Sequence, residues 1–395
     1  MAVATRNPAK DQVAFASAAT TGFVRSAGEV TPQTLAVDAC IKAIEAAGID
    51  KGDINGIIGA ENTGVAAALG LSDISYYQGP GVPFGFTIAN AVGAVASGQA
   101  DVVLAYHTMY RNATKSRSAN DDPFRAAAFR RMARMGGGGG DGSGPDNMAG
   151  PVGYTAWASR YLHEYKESRD LFGYISVNDR SNAAHNPAAV MSDPITMDDY
   201  LSARMIRWPL SMLDMDVPID GADAFIITTP ERARDMKLKP VLLHACTTGL
   251  VTPFEEDQIP GLARNGQHAV LASLRAKSDI WIDDIDIFFP YDGFTFITIS
   301  WIENAGWCAP GEARGFIEDN WDAEHNRILI KGRVPVNPHG GALSEGGTQG
   351  SGHTREAIHQ LQGLAGERQV EGATKALALM GGFFFNAQGS VFRTE

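Results

Sequence analysis

The chain has 395 residues and a formal net charge of −12. This length fits one large domain or two of ordinary size, and the acidic balance argues against a nucleic-acid surface, which needs clustered Lys and Arg. Three widely spaced cysteines, Cys40, Cys246 and Cys308, provide neither a disulfide framework nor a paired metal motif. A polar amino terminus and the lack of a long apolar run predict a cytoplasmic protein with no membrane segment.

The first part of the chain alternates apolar strands with helices. Thr31 has the residue type of a helix N-cap, Pro32 suits the first helical position, and Gly48 is typical of a helix stop. Apolar runs predict strands, and periodic segments predict helices. Strands are predicted at 12–23, 54–58, 100–107 and 220–228, and helices at 32–48, 86–98 and 154–168.

One stretch of low complexity interrupts this pattern. Residues 134–147, "RMGGGGGDGSGPDN", predict a flexible loop. A long loop in a compact chain is a lid or channel rim, or else it is dispensable. Basic residues cluster just before it and are compatible with a local pocket for a phosphorylated group; they are Arg111, Lys115, Arg117, Arg125, Arg130, Arg131 and Arg134.

The chain also repeats itself. Residues 36–62 and 269–295 share one pattern: a helix, a short link, Asp-Ile-Asn or Asp-Ile-Asp, and an apolar strand. Alternating strands and helices predict doubly wound parallel sheets, and two copies predict a duplicated α/β unit. We expect an N-terminal half at 1–240, with an inserted region at about 110–210, and a C-terminal half at 241–395. The active site should lie near their interface.

Motifs distributed over most of the chain resemble the thiolase superfamily, and more narrowly its sterol-carrier-protein-type, lipid-transfer branch. They include "IDGADAFIITTPERARD", "SARMIRWPLSMLD", "DIDIFFPYDGFTFITISWIENAGWCAPGEA" and "VPVNPHGGALSEG". The resemblance implies a five-layered αβαβα sandwich, usually dimeric, that acts on acyl-CoA thioesters. Coenzyme A is then part of the substrate, and the resemblance implies no metal and no other cofactor.

The positions that carry thiolase chemistry are substituted here. Thiolases use a nucleophilic cysteine, a second cysteine as base, and a histidine and an asparagine at the thioester oxygen. The matching positions fall near Gly81, at Leu379 or Met380, at Gly347 and at Tyr291. The resemblance therefore implies the family fold without its thiol chemistry. We interpret the three cysteines elsewhere as buried and inert.

Acid–base chemistry is still open to such a chain. Some relatives resemble aldolases, which need a base for the β-hydroxyl proton and donors for the developing enolate. We predict Tyr291 as the proton carrier, Asp292 as the group that orients it, and His339 as a third catalytic residue. Tyr291 as a packing aromatic and His339 as a structural loop residue are the alternatives. Some aldolase-like relatives carry a tyrosine in this part of the loop. The corresponding segment of this chain reads "GGTQG" and contains no tyrosine.

Residues 337–353, "NPHGGALSEGGTQGSGH", predict a second side of the site. Glycine lets backbone amides approach a ligand closely, so the amides of Gly340, Gly341, Gly346 and Gly347 are candidates for an oxyanion hole. Tight packing between the halves is the alternative. The predicted substrate-binding residues are Glu345, Gly346, Gly347, Gln349, His353, Gly381 and Gly382.

The leading hypothesis is a lyase that cleaves a β-hydroxyacyl-CoA with a bulky, sterol-like or aromatic tail. The resemblance further implies a homodimer and a separate small partner protein with an OB-fold and a zinc ribbon. A non-catalytic acyl-CoA or lipid-binding scaffold subunit is the alternative of a different class. Acyl transfer without a covalent intermediate is a third.

Overall fold

The computed structural model describes residues 3–81, 83–111, 151–251, 261–383 and 386–395. The elements up to position 240 are β1 (Ala14–Thr20), α1 (Pro32–Ala47), β2 (Gly56–Ile58), α2 (Asn62–Leu69), β3 (Tyr76–Gln78), α3 (Gly85–Ala96), β4 (Val102–Tyr110), α4 (Pro151–Tyr165), α5 (Asp170–Ala183), α6 (Met197–Ser202), β5 (Met205–Arg207), β6 (Leu210–Ser211), β7 (Asp220–Thr228) and α7 (Pro230–Arg234).

The elements after position 240 form a second set of strands and helices. They are β8 (Val241–Gly249), α8 (Gly266–Lys277), β9 (Ile287–Pro290), α9 (Thr295–Ala305), α10 (Ala313–Asp319), β10 (Trp321–Asp322), β11 (Arg327–Ile330), β12 (Val334–Pro335), α11 (Gly341–Ser344), α12 (Ser351–Gln362), β13 (Lys375–Met380) and β14 (Ala387–Arg393).

The main sheet has the strand order β3-β2-β4-β7-β1-β8-β14-β13-β9. Short pairing of β1 with β8, at Phe15 opposite Val241, joins the two sets of strands. The prediction of parallel sheets holds for β2, β3 and β4 and for β9 with β13, but β7, β8 and β14 run antiparallel to their neighbours. The link from β13 to β14 is too short for a parallel crossover, so that pair is antiparallel.

Helices cover both outer faces and fill the centre, which confirms the five layers. Helix α1 packs on β1, β4 and β7, and α2 packs on α1. Helix α3 contacts β4 and β7 on one side and β8 and β14 on the other, and α12 likewise touches β1 and β13. Helix α8 packs on β8 and β14 at the opposite surface. The order is therefore α, β, α, β, α, with α3 and α12 in the middle layer.

Local sequence signals set the ends of α1. The Thr31 hydroxyl accepts a hydrogen bond from the amide of Thr34 at 3.1 Å, and Gly48 ends the helix with a φ of 69°. The small face of Ala36, Ala39, Cys40, Ala43 and Ala47 is buried against the sheet. Ile54 was predicted in the next strand but precedes it, since β2 begins at Gly56.

The predicted glycine-rich loop at 134–147 lies outside the described residues, as do all the clustered basic residues except Arg111. The helix predicted at 154–168 is confirmed up to Tyr165, where α4 ends. The second set of strands opens with β8 at Val241, while the division of the chain at 240 stays a prediction. Across the described ranges, no helix has the length and apolar character needed to cross a bilayer.

Candidate active site

The 337–353 loop is buried and lies against the carboxyl end of β9. The amide of Asn337 donates to the carbonyl of Phe288 at 3.0 Å, and the Asn337 side-chain amide donates to the carbonyl of Pro290 at 3.0 Å. Tyr291 follows directly and donates its amide to Leu379 O at 2.7 Å. The strand end, the loop and the end of β13 therefore meet at Tyr291, as the sequence predicted.

Tyr291 is buried, with 9% of its surface exposed. A Cβ placed on Gly293 would lie 2.9 Å from the phenol oxygen, so the ring folds back over Gly293. Within the described part of the chain, no hydrogen bond engages this hydroxyl. Burial and the nearby charge of Asp216 raise the pKa of Tyr291, and the Arg111 guanidinium opposes them. The phenol is therefore protonated at neutral pH and poised as a donor.

Asp216 and Arg111 form an ion pair beside this phenol. Arg111 Nη1 lies 2.6 Å from Asp216 Oδ2, and the Asp216 amide donates to Gly293 O at 3.0 Å. Burial raises the pKa of Asp216 even though Arg111 lowers it. Sequence reasoning did not single out Asp216. The only sequence signal was a group of three aspartates in "SMLDMDVPIDG", a segment that leads into the buried strand β7.

The Asp216 carboxylate also fills the space next to Gly347. A Cβ built on Gly347 would overlap Asp216 Oδ2, and would lie 3.0 Å from Arg111 Nη1. Gly347 is the position that matches the thiolase histidine. The structure therefore places a carboxylate–guanidinium pair where the resemblance puts an imidazole.

Asp292 is fully buried and anchors the loop. Its two oxygens accept hydrogen bonds from the amides of Ala342 at 2.8 Å and Leu343 at 2.9 Å, at the start of α11. His353 Nε2 lies 2.8 Å from Asp292 Oδ1. Burial alone would raise the pKa of Asp292, but the His353 hydrogen bond brings it below the usual range. The prediction that Asp292 orients Tyr291 is wrong in this respect, because its partners are the loop and His353.

A second carboxyl group lies against Asp292. Asp179, on α5, is fully buried, and one of its oxygens accepts from the side chain of Asn178 at 2.9 Å. Burial and the charge of Asp292 raise the pKa of Asp179 well above its ordinary value. The pair therefore carries one negative charge, held on Asp292.

His339 and His353 pack edge to face behind Tyr291. Their ring centroids are 4.7 Å apart, and the His353 centroid is 5.7 Å from that of Tyr291. Neither ring nitrogen of His339 has a hydrogen-bond partner, and Nδ1 of His353 also lacks one, among the described residues. Burial and the neighbouring His353 hold the pKa of His339 well below its usual value. His339 is thus a neutral imidazole one ring removed from Tyr291, and its catalytic role stays a prediction.

The loop glycines are needed for close packing. The amide of Gly347 donates to Val217 O at 2.9 Å, and the amide of Gly340 donates to Asn337 O at 2.9 Å. The prediction that these two amides line an oxyanion hole is therefore wrong, because both are already used within the chain. A Cβ on Gly346 would lie 2.7 Å from the side chain of Ile219, across the interface between the halves.

Gly381 and Gly382, on the other side of the predicted site, are also closely packed and hydrogen-bonded within the protein. Gly381 O accepts from the Trp301 indole at 3.0 Å, and the Gly382 amide donates to Asn386 Oδ1 at 3.1 Å. A Cβ on Gly382 would overlap the hydroxyl of Tyr154. Tyr154 in turn stacks on Phe294, with ring centroids 4.5 Å apart, close to the Tyr291 segment. The Gly382 amide is therefore occupied, and no sequence pattern singled out Tyr154.

Glu345 and Gln349 bind protein groups. Glu345 is buried and pairs with Arg355, which also pairs with Asp223 on β7. The Glu345 carboxylate also accepts from the Asn186 side chain at 2.9 Å. This network ties the loop to the first half of the chain, so the prediction that Glu345 faces the substrate is wrong. The backbone carbonyl of Gln349 accepts from the amide of Phe84 at 3.0 Å, which leaves a substrate contact for its side chain as a prediction.

The described residues place no thiol at this site. Cys40 is buried in α1, while Cys246 lies on β8 and Cys308 follows α9. Burial raises the pKa of all three thiols, to about 11 for Cys246 and about 12 for Cys308. These thiols are therefore unreactive at neutral pH. The described ranges also hold no group of three or more His, Cys, Asp or Glu suited to a metal ion.

Comparisons with known proteins show which family this chain resembles. Residues 261–394 match the family described as "Thiolase C-terminal domain-like". A 17-hydroxy-3-oxo-4-pregnene-20-carboxyl-CoA lyase of Mycobacterium tuberculosis is 33% identical over 371 residues, covering 90% of this chain and 92% of the relative. A steroid side-chain-cleaving aldolase of Thermomonospora curvata is 31% identical over 377 residues, covering 89% and 90% of the two chains.

Solved structures of other proteins share this fold. The structure of the Ltp2-ChsH2(DUF35) aldolase superimposes with a TM-score of 0.80 at 28% sequence identity, covering 98% of each chain. An acetyl-CoA acetyltransferase from Syntrophomonas wolfei shares the fold, with a TM-score of 0.66 at 17% identity over 98% of this chain and all of that one.

Proposed function

Because this chain belongs to the thiolase superfamily, in the sterol-carrier-protein-like branch that contains steroid side-chain aldolases, we propose that it is an acyl-CoA lyase. It cleaves the Cα–Cβ bond of a β-hydroxyacyl-CoA by a retro-aldol reaction, without a cysteine nucleophile. One observation carries the proposal: a buried phenol, Tyr291, lies beside the Asp216–Arg111 pair, where a thiolase would need thiols and an imidazole.

The reaction needs a base at the β-hydroxyl, and Asp216 suits it. The Asp216 carboxylate takes the hydroxyl proton, and the oxygen forms the new carbonyl as the Cα–Cβ bond breaks. The bond's electron pair moves into the thioester and gives an enolate. Arg111 holds the carboxylate in place before the transfer and offsets the charge that then develops nearby.

Tyr291 suits the opposite role. Its raised pKa keeps the phenol protonated, so it donates a hydrogen bond to the enolate and then gives its proton to Cα. The proton on Asp216 returns to the phenolate, and both groups are restored. The products are a ketone or aldehyde and a shorter acyl-CoA, so atoms and charge balance without any further reactant.

The relatives support a proposal for the substrate and the partner. We propose a steroid side-chain or similarly bulky β-hydroxyacyl-CoA, in lipid or steroid degradation, with no cofactor beyond the coenzyme A of the substrate. The similar Ltp2-ChsH2(DUF35) aldolase carries a DUF35 component in its name. A separate small partner with an OB-fold and a zinc ribbon, a homodimer and a cytoplasmic location remain parts of the proposal that rest on the resemblance.

The test is direct cleavage. The chain, alone and with a DUF35-type partner, is incubated with 17-hydroxy-3-oxo-4-pregnene-20-carboxyl-CoA, and the products are followed by mass spectrometry. We expect a 17-ketosteroid and a shortened acyl-CoA in equal amounts. Tight binding of the ester without turnover would overturn the lyase and favour the scaffold. Transfer of the acyl group to a second thiol would favour acyl transfer.

A further inference from the structure

A short hairpin on the inserted region presents an unusually apolar surface. Strands β5 and β6 form it, and its turn carries Trp208, which is 63% exposed. Other large apolar side chains on the hairpin and next to it are also exposed. We call the whole group the hairpin patch: Leu201, Met205, Ile206, Trp208 and Met212. A concentration of exposed large apolar side chains on one short segment of a folded chain points to a binding surface.

The hairpin is held firmly from beneath. Leu210 and Ser211, on the inner strand, are fully buried. The Ser211 hydroxyl donates to Asp214 Oδ2 at 2.8 Å, and the amide of Met212 donates to Arg204 O at 2.9 Å. The exposed side chains therefore sit on a preorganised support, which lowers the ordering cost of binding.

The charges around the patch decide what binds there. Arg204 and Arg207 are both exposed, and neither forms an ion pair with any described residue. Two copies that met through this patch about a twofold axis would bring these cations together, since such an interface is self-complementary. A face with carboxylates would instead pair with them. The charge pattern therefore favours a different protein over a second copy.

The hairpin is also linked to the candidate active site through buried hydrogen bonds and along the chain. Beyond β6, Asp214 accepts hydrogen bonds from Tyr200 at 2.8 Å and from Thr295, at the start of α9, at 2.7 Å. Met215 pairs with Phe294, and the next residue is Asp216. A protein bound to the hairpin would therefore hold the segment that carries the proposed base.

We propose that the hairpin patch is the docking surface for the separate DUF35-type partner, through a face of that protein that is apolar and carries carboxylates. This inference rests on the proposed function, because the partner is part of it. Trp208 is the central anchor, with Ile206 and Met205 beside it, and the two arginines give orientation and salt dependence.

The experiment measures binding separately from cleavage. Full-length chain and a DUF35-type protein from the same genome are titrated by calorimetry, and their masses are checked by light scattering. Trp208→Ser is compared with Leu364→Ser, which removes another exposed apolar side chain, in the turn after α12. The charge reversal Arg207→Glu is compared with Arg25→Glu, another exposed arginine without an ion pair among the described residues.

We expect Trp208→Ser to weaken the complex about 30-fold or more. Arg207→Glu should also weaken the complex, and its effect should grow as the salt concentration is lowered. Both control variants should bind like the wild type. Equal binding by all variants, or no complex with the wild type, would overturn the docking surface. Loss of self-association in Trp208→Ser would show that a second copy binds there and would also overturn it. Cleavage by a chain that forms no complex would sink the docking surface and leave the proposed lyase standing.

Discussion

The carboxylate of Asp216 occupies the space that a side chain on Gly347 would need. These residues lie far apart in the sequence and meet beside Tyr291, with Arg111 completing the group. The position of the Asp216 carboxylate therefore depends on glycine at 347, because any side chain there would displace it. This pair replaces the thiolase histidine both in space and in the proposed chemistry.

Gly347→Ala should disable the enzyme more than it destabilises the fold. The new Cβ would push Asp216 away from Tyr291, and a shift of about 1 Å in a reacting group can cost about 100-fold in rate. Steady-state cleavage and thermal unfolding would be measured together. Gly93→Ala is the control, because a Cβ there meets no atom within 4 Å. Near-wild-type activity in Gly347→Ala would contradict the role of Asp216.

Tyr291→Phe should lower kcat by about 100-fold to 10,000-fold, the range for loss of a general acid. The phenol makes no hydrogen bond with described residues, so the free energy of unfolding should change by less than about 1 kcal/mol. Kinetics and urea unfolding measure the two effects. Tyr174→Phe, whose hydroxyl reaches Glu318 at the surface, should leave the rate unchanged. A fully active Tyr291→Phe would mean that another group donates the proton.

Asp216 should set the acid limb of the pH–rate profile. Burial raises its pKa, so activity should fall on acidification at a higher pH than the ordinary aspartate value of about 3.9. The base works only when deprotonated, so activity is present above this pKa and lost below it. Asp216→Asn should remove the limb together with most of the rate. If kcat/KM plotted against pH kept its shape in that variant, Asp216 would not be the base.

Replacing Asp292 by asparagine and replacing Asp179 by asparagine should have different effects on stability. The pKa of Asp292 lies below its unfolded value, so its stabilisation is full above about pH 3.9 and is lost as pH falls through the folded pKa. Asp292→Asn removes the charge bound by His353 and should destabilise the fold by about 3 kcal/mol or more at pH 7. Urea unfolding over a pH series from acidic to neutral measures this.

Asp179→Asn is the matched control for that experiment. The pKa of Asp179 is raised, so its carboxyl favours folding below the unfolded pKa and opposes it as pH rises toward the folded pKa. An amide copies the neutral form, and the variant should be as stable as wild type at pH 7 or slightly more so. Equal destabilisation by both substitutions would contradict the assignment of the charge to Asp292.

Replacing Cys40, Cys246 and Cys308 together by alanine should leave cleavage within about twofold of wild type. Each thiol is held protonated by burial and lies away from Tyr291. Iodoacetamide should likewise leave the native enzyme active. The activity of treated and untreated protein is compared under the same conditions. Strong inhibition that the triple variant escapes would restore a role for a thiol.

Local and repeated signals were sufficient to predict a duplicated α/β unit, and the resemblance supplied the five-layered arrangement. Thr31 and Gly48 act within one turn of the helix that they delimit, and the repeated helix–strand pattern reports a duplicated unit directly. The antiparallel strands were missed because strand direction depends on the lengths of connections. Tyr291 was predicted from the resemblance, because it matches the position of the thiolase asparagine.

The partners within the site could not be predicted, because they depend on contacts between distant segments. Asp216 looks like one acidic residue among several in its segment, and only the folded chain brings it beside Gly347. Glu345 was predicted to bind the substrate and Asp292 to orient Tyr291, yet burial obliges each carboxylate to find a partner within the protein, Arg355 for the first and His353 for the second. Loop glycines suggested free amides, whereas close packing uses two of them.

The Arg111–Asp216 pair has a consequence for the order in which the protein is made. Synthesis adds both residues well before Tyr291, Gly347 and His353, and folding of large chains proceeds as segments emerge from the ribosome. The proposed base and its cation are therefore present in a nascent chain that still lacks Tyr291. Under the proposed mechanism, cleavage requires β9 and the 337–353 loop to have docked, so we expect a chain that stops before them to show no cleavage.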